Sequence, residues 1–376
     1  MSRSTLPRSP GIDTLRGLSI VLVVIHHLGL RLPLHKTEAV AWVPALVLKG
    51  LIFNGYEAVF LFFAISGFLI TRHTLERDGS LATIDWRGFY VRRAARIVPC
   101  LVGLIGLLLV CHVSGVPNYV IDETRQSPAG ATLSALTFTL NVYEGHTGWL
   151  PGGWDVLWSL SIEEVFYLGF PLVCLGLGRT RWIVPLLLLL VVSVPFTRAA
   201  IVNNEIWQEK AYLPGMGAIA AGVLAALFLA RRGALSPPTR RCLAGIGVLA
   251  LLVVMFSGGW LWHAVHEGYL LVLIGGAVCL ILAAPEGGRA LPGTAWLRSM
   301  GQASYEIYLT HMFVVFSLVG VARMTGTDTA RGWLWYLPAI GLCWLLGWLV
   351  SRYLSEPANR ALRTRMLRSA RVAATV

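Results

Sequence analysis

Three groups with no obvious place in hydrocarbon, Arg16, His26 and His27, stand inside the first long apolar run, IDTLRGLSIVLVVIHH. A titratable side chain there is costly unless it is paired or faces a wet cavity, so each is a functional candidate. At 100° per residue, the step from Arg16 to His27 leaves about 20° of net turn and rises about 16 Å. The two therefore share a helix face, while His26 points about 100° away. A buried histidine also serves as a helix-to-helix hydrogen bond, and an arginine near a span end can snorkel to the interface. Their common face favours a joint role.

Further polar clusters interrupt later runs. WSLSIEEVFYLGFP places Ser159, Ser161, Glu163 and Glu164 in the first turns of a span. They suit solvated or dipole-stabilising charges at a helix start, an acid that orients a histidine, or the lining of a polar path. SYEIYLTH brings Tyr305, Glu306, Tyr308 and His311, of which Tyr308 and His311 can meet at i,i+3. In DWRGFYVRRAARIVP, Arg92 and Arg96 stack at i,i+4 and Arg93 and Arg96 at i,i+3, a dense guanidinium patch. Arginine forks suit bidentate phosphate binding; anchoring to anionic lipid is the other use of such a patch. Nucleic acid is not expected, because the patch lies between apolar runs and has no stacking platform.

The elements that must hold these groups follow from composition. Among 376 residues, 56% are hydrophobic and 13% charged, whereas a soluble domain has about a quarter charged. The apolar residues fall into separate runs near the roughly 20 residues that cross about 30 Å of hydrocarbon. Soluble Rossmann enzymes, collagen, disordered chains and disulfide scaffolds are excluded. The expected fold is all-α: a polytopic transmembrane bundle of about ten spans. These start near Thr14, Phe53, Ile97, Leu157, Trp182, Tyr212, Cys242, Gly268, Ser304 and Trp333, and a run at 132–142 is too short to cross and reads as re-entrant or interfacial.

Charge sets the orientation. That arrangement puts 22 of the 31 Lys and Arg on one side, including Arg3, Arg8, Arg289, Arg368 and Arg371, and eight on the other. The rich side, with both termini, an Arg-rich loop at 72–96 and a basic tail at 352–376, is expected to be cytoplasmic. Six scattered cysteines with no CxxC and no cysteine–histidine spacing suited to zinc read as small core residues, and no metal is expected. The first run has no small-residue cleavage site and should stay as a span. The whole of 1–376 reads as one membrane-embedded domain, with no soluble domain expected after the last span.

Taken together, IDTLRGLSIVLVVIHH, LFFAISGFLITRH, FYVRRAARIVP, LWSLSIEEVFYLGFP, SYEIYLTH and SEPANR resemble the acyltransferase-3 family of integral membrane acyltransferases, over residues 12–360. Arg16 and His27 match its arginine, ten residues, histidine signature. Arg93 and Arg96 match RxxR, and Ser66 and Gly67 match FFxxSGF. Ser161, Glu163 and Glu164 match WSLSxEE, Tyr308 and His311 match SYxxYLxH, and Glu356 with Pro357 match the acidic-proline end. One departure is Phe60, where many members carry an aspartate; any role of that acid is absent or has passed to Glu57. The other is that no fused esterase-like domain is expected after the last span, so acceptor delivery would fall to the membrane domain or to a separate transferase.

The resemblance implies transfer of an acyl group, usually acetyl, from acyl-CoA on the cytoplasmic side of a bacterial inner membrane. The acceptor would be a hydroxyl of a glycan, a lipid-linked sugar or a small natural product. His27 is then the expected base, since an imidazole near its unperturbed pKa of about 6.5 can accept a proton. Glu163 would orient it, and an acylated His27 is the covalent alternative. Arg16, Arg92, Arg93 and Arg96 would hold the coenzyme phosphates, with Glu356 pairing with Arg16. Ser66, Ser161, Glu164, Tyr308 and His311 would support the substrates or the site. The rival is a proton-coupled transporter that uses His27 and Glu163 as a relay.

Overall fold

The computed structural model describes residues 9–284, 287 and 290–373, with side chains described to residue 365. Arg3, Arg8 and Arg289, and the side chains of Arg368 and Arg371, lie outside the described residues. Among the described residues there are eighteen α-helices and no strand. In chain order they are α1 (Pro10–Gly29), α2 (Ala45–Phe53), α3 (Gly55–Asp78), α4 (Trp86–Val113), α5 (Pro128–Leu136) and α6 (Leu140–Thr147). Next come α7 (Gly152–Asp155), α8 (Trp158–Leu177), α9 (Ile183–Val192), α10 (Val194–Ala199), α11 (Glu205–Lys210) and α12 (Tyr212–Arg232). The last six are α13 (Pro237–Val265), α14 (Tyr269–Ala283), α15 (Ala295–Gln302), α16 (Ser304–Met324), α17 (Tyr336–Val350) and α18 (Glu356–Ala373).

Eight helical stretches are long and apolar enough to cross a membrane, as an integral membrane protein requires. The expected starts at Cys242 and Gly268 both fall in one of these, Pro237–Ala283, where α13 and α14 pack along each other across a turn at His266–Gly268. The span expected from Trp182 is divided. The ten residues of α9 rise only about 15 Å, and the helix breaks before Pro195, whose missing N–H cannot continue the ladder. Residues 132–142 fall in α5 and α6, two short helices separated by Phe138 at φ 59°.

Two further expectations change. The stretch 72–96 is not a loop: 72–78 is the end of α3, and Arg92, Arg93 and Arg96 lie in the first turns of the 28-residue α4. Asp85 caps that helix by accepting from Gly88 N at 2.9 Å, a contact worth about 1 kcal/mol. The tail from 352 is helical as well. Tyr336–Val350 runs through a π turn at Ser351–Ser355 into α18. As for the cysteines, Cys100, Cys174 and Cys343 are buried but Cys242 is exposed.

Small residues set the closest approaches. A Cβ on Gly67 of α3 would fall on the Ile219 carbonyl of α12, and one on Gly222 of α12 would fall on that of Ala64. The glycine of the FFxxSGF element thus brings two backbones together and fixes its neighbour Ser66 facing inward. The start of α1, the end of α3, the start of α4 and α18 meet at one end of the bundle, around a cavity.

Candidate active site

A cavity of about 400 Å³ opens at that end. Its charged lining is Arg16, Arg77, Arg92, Arg93, Arg96 and Arg363 against Glu163 and Glu164. The six guanidiniums are not equivalent. Arg93 Nη2 donates to Glu164 Oε1 at 3.1 Å and to Glu163 Oε1 at 3.5 Å, and the group lies 3.7 Å over the Tyr167 ring. Glu163 also accepts from Tyr167 Oη at 2.6 Å and from Ser66 Oγ. Arg93 is thereby committed to a knot of two carboxylates, a tyrosine and a serine, supplied by α3, α4 and α8.

The others are freer. Arg16 Nη2 donates to Ser304 Oγ at 2.8 Å. Arg92 holds Asp85 at 3.4 Å through Nη1, while its buried Nη2 has no hydrogen-bond partner. Arg96, with its guanidinium 5.9 Å from the Tyr305 ring centre, makes no ion pair among the described residues. The expected Arg16–Glu356 pair does not form. Glu356 is exposed at the start of α18 and bonds Arg360 at 2.7 Å, one helical turn on.

The inner wall of the cavity includes Tyr308 and Ser159. Ser159 Oγ donates to Tyr308 Oη at 2.7 Å, and Tyr308 Oη donates to the Val156 carbonyl at 3.0 Å. His27 and His311 are not lining residues; they sit behind Tyr308, their ring centres 5.0 Å apart. His311 is fully buried, and its Nδ1 lies 2.7 Å from the Tyr308 carbonyl. A carbonyl only accepts, so Nδ1 carries the proton and Nε2 presents a lone pair. That Nε2 is buried and unpartnered.

His26 has a tether of its own, although its ring centre lies 5.1 Å from that of His27. Its Nδ1 donates to the Ile52 carbonyl at 2.6 Å, in keeping with the 100° separation read from the sequence. The His27 ring makes no hydrogen bond to the described residues, and its own carbonyl accepts from Arg31 Nη1 at 2.7 Å. Glu163 does not orient His27: the knot with Arg93, Ser66 and Tyr167 holds it in the cavity, and the rings beside His27 are those of His311 and His26. Ser161 is buried in α8, away from the cavity lining.

Residues 9–352 match the acyltransferase domain of the acyltransferase-3 family. The chain belongs to that family. Among similar proteins, the peptidoglycan O-acetyltransferase OatA of Listeria monocytogenes is 27% identical over 55% of this chain and 29% of its own length. The O-acetyltransferase OatA of Staphylococcus aureus is 30% identical over 44% of this chain and 24% of its own. The putative membrane-bound transacylase BcsY of Komagataeibacter xylinus is 27% identical over 85% of this chain and 78% of its own. The chain thus spans less than a third of the two OatA relatives. No solved structure matches.

Several residues inside the quoted motifs gain a role only from the structure. Tyr167, one turn after Glu163, and Ser304, the first residue of the SYxxYLxH element, come into view through their partners in space. Glu306, named with the SYEIYLTH cluster but given no role there, accepts from Ser355 Oγ at 2.6 Å and so ties α16 to the π turn, with its Oε2 buried and unpartnered. Asn359 and Arg363 of α18 line the cavity although the sequence places them in a basic tail. Among the described residues no cluster of histidine, cysteine and carboxylate side chains is suited to a metal.

Proposed function

We propose that this chain is a membrane O-acyltransferase that moves an acyl group, acetyl in the simplest case, from acyl-CoA to a hydroxyl. The acceptor is a glycan, a lipid-linked sugar or a small natural product. The observation that carries the reading is the unpartnered Nε2 of His311 beside His27, behind a cavity whose arginines outnumber its carboxylates. The cations suit a polyanionic donor head, and the imidazoles suit proton removal from an alcohol.

In this reading the coenzyme phosphates rest on Arg92 and Arg96, and the narrow pantetheine arm passes Arg16 and the Tyr308–Ser159 contact toward His27. The acceptor hydroxyl gives its proton to His27 as its oxygen bonds to the thioester carbonyl carbon. The carbon–sulfur bond then breaks, and the proton passes to the thiolate that leaves. His311, locked in one tautomer, turns the lone pair of its unpartnered Nε2 to steadying the imidazolium of the neighbouring His27. Arg93 keeps Glu163 and Glu164 in place. The transporter reading is less well supported, because Glu163 is tied into its own knot and offers His27 no direct proton path.

The membrane is the bacterial inner membrane, with the cavity mouth and both termini on the cytoplasmic side, and a separate transferase downstream can pass the group on. One experiment tests donor and sidedness together. Membrane vesicles from cells that carry the acceptor receive acetyl-CoA from outside. Inside-out vesicles are expected to release free coenzyme thiol and form acetylated acceptor, and right-side-out vesicles to do neither. The reverse pattern overturns the sidedness, and inactivity of both overturns the donor.

A further inference from the structure

The tail helix α18 has two different basic edges. Arg360 is exposed and bonds Glu356 within the helix. Asn359 and Arg363, one turn apart on a shared face, instead line the cavity mouth. The π turn at Ser351–Ser355 sets this face: its wider winding rotates everything after it, and Ser355 is clamped to Glu306 at 2.6 Å. Across the mouth stand His73 and Arg77 of α3 and Arg92 of α4.

The cations are graded by depth. Arg77 and Arg363 are exposed at the rim, Arg92 and Arg96 are half-buried, and Arg93 is bound up with its carboxylates. Of the arginines that line the rim, Arg77 and Arg363 make no ion pair among the described residues, and Arg92 holds Asp85 through Nη1 while its Nη2 stays buried without a partner. A ligand that runs inward from this rim therefore needs negative charge at its outermost end. In a coenzyme A thioester, the phosphomonoester farthest from the acyl group is the ribose 3′-phosphate.

We propose that Asn359 and Arg363 of α18, facing Arg77 and the free Nη2 of Arg92, form a subsite for that 3′-phosphate, so that the C-terminal helix selects the donor. This rests on the acyl-CoA reading above. An arginine fork with an amide beside it reads a dianionic phosphomonoester and gains little from the uncharged hydroxyl of 3′-dephospho-coenzyme A.

The test is equilibrium binding of coenzyme A and of 3′-dephospho-coenzyme A to the purified full chain in detergent. Wild type is expected to prefer coenzyme A about tenfold or more. Arg363→Ala should lose about that factor for coenzyme A and none for the dephospho form, and Arg363→Lys should recover part of it. Asn359→Asp, which sets a like charge beside the phosphate, should show the same selective loss, and Arg360→Ala should change neither ligand. Equal binding of both ligands by wild type overturns the subsite and leaves the donor reading standing. A loss in Arg363→Ala that is equal for both ligands, or is matched by Arg360→Ala, also overturns it as mere surface charge. Binding of neither ligand by wild type overturns the donor reading itself.

Discussion

Buried charge is handled in opposite ways at the two ends of this bundle. Away from the cavity, Lys210 and Glu144 are both fully buried and 2.8 Å apart, with Asp155 as the second partner of the ammonium. Nearby, Arg198 Nε meets Glu267 at 2.6 Å, and its Nη1 donates to Tyr56 Oη at 2.6 Å and to the Gln208 carbonyl at 3.1 Å. Both of these buried cations have their anions. At the cavity end Arg93 is ion-paired through Nη2, but among the described residues Arg96 has no ion pair and Arg92 Nη2 has no partner. Closed clusters hold helices together, whereas the open one leaves charge for a ligand to complete.

The largest expected effect lies behind the open cluster. His27→Ala should lower transfer by at least the 10² to 10⁴ that a positioned base contributes, with donor binding retained because the proposed phosphate contacts, Arg92 and Arg96, line the cavity from α4 and His27 does not. His26→Ala, which loses the tether to Ile52 and a ring contact with His27, should keep most of the activity. The measurement is a turnover assay paired with donor binding. An acetyl adduct on the wild-type protein, seen by intact mass and absent from His27→Ala, would replace the base with a covalent route.

The closed cluster should respond in stability and not in chemistry. Lys210→Met leaves Glu144 buried without its cation and is expected to cost about 3 to 5 kcal/mol. Thermal unfolding in detergent reads this as a lower midpoint. An unchanged midpoint would show that the cluster is solvated and that the contrast between the two ends is not real.

The parts of this contrast that are periodic could be read from the chain, and the parts that are tertiary could not. The apolar runs declare a helical membrane bundle, and the 11-residue step separates His27 from His26, because both depend only on residues along one helix. The distinction between Arg93 and Arg96 is invisible at that level, since the carboxylates that occupy Arg93 arrive from α8, some 70 residues later. His311, not Glu163, stands beside His27 for the same reason: helix neighbours in space are not set by spacing in sequence. The start of α4 was hidden by its own charge. The arginine-rich run reads as a short helix of a connecting loop, apart from the span at Ile97, whereas with Asp85 as its cap one continuous helix begins eleven residues before that apolar stretch. Arg363 was hidden by the π turn, which decides the face that α18 presents.

The smallest effect is also the most direct test of the central claim, that the arginine cavity is an open anion site. Coenzyme A binding to the purified protein is titrated calorimetrically for wild type, Arg96→Ala and Arg93→Ala, each with its unfolding midpoint. Arg96→Ala should lose about 1.5 to 3 kcal/mol of affinity, roughly 10- to 150-fold, at an unchanged midpoint. Arg93→Ala should lower the midpoint, because it strands Glu163 and Glu164. Unchanged affinity in Arg96→Ala, or a loss that appears only as the protein unfolds, would contradict the account.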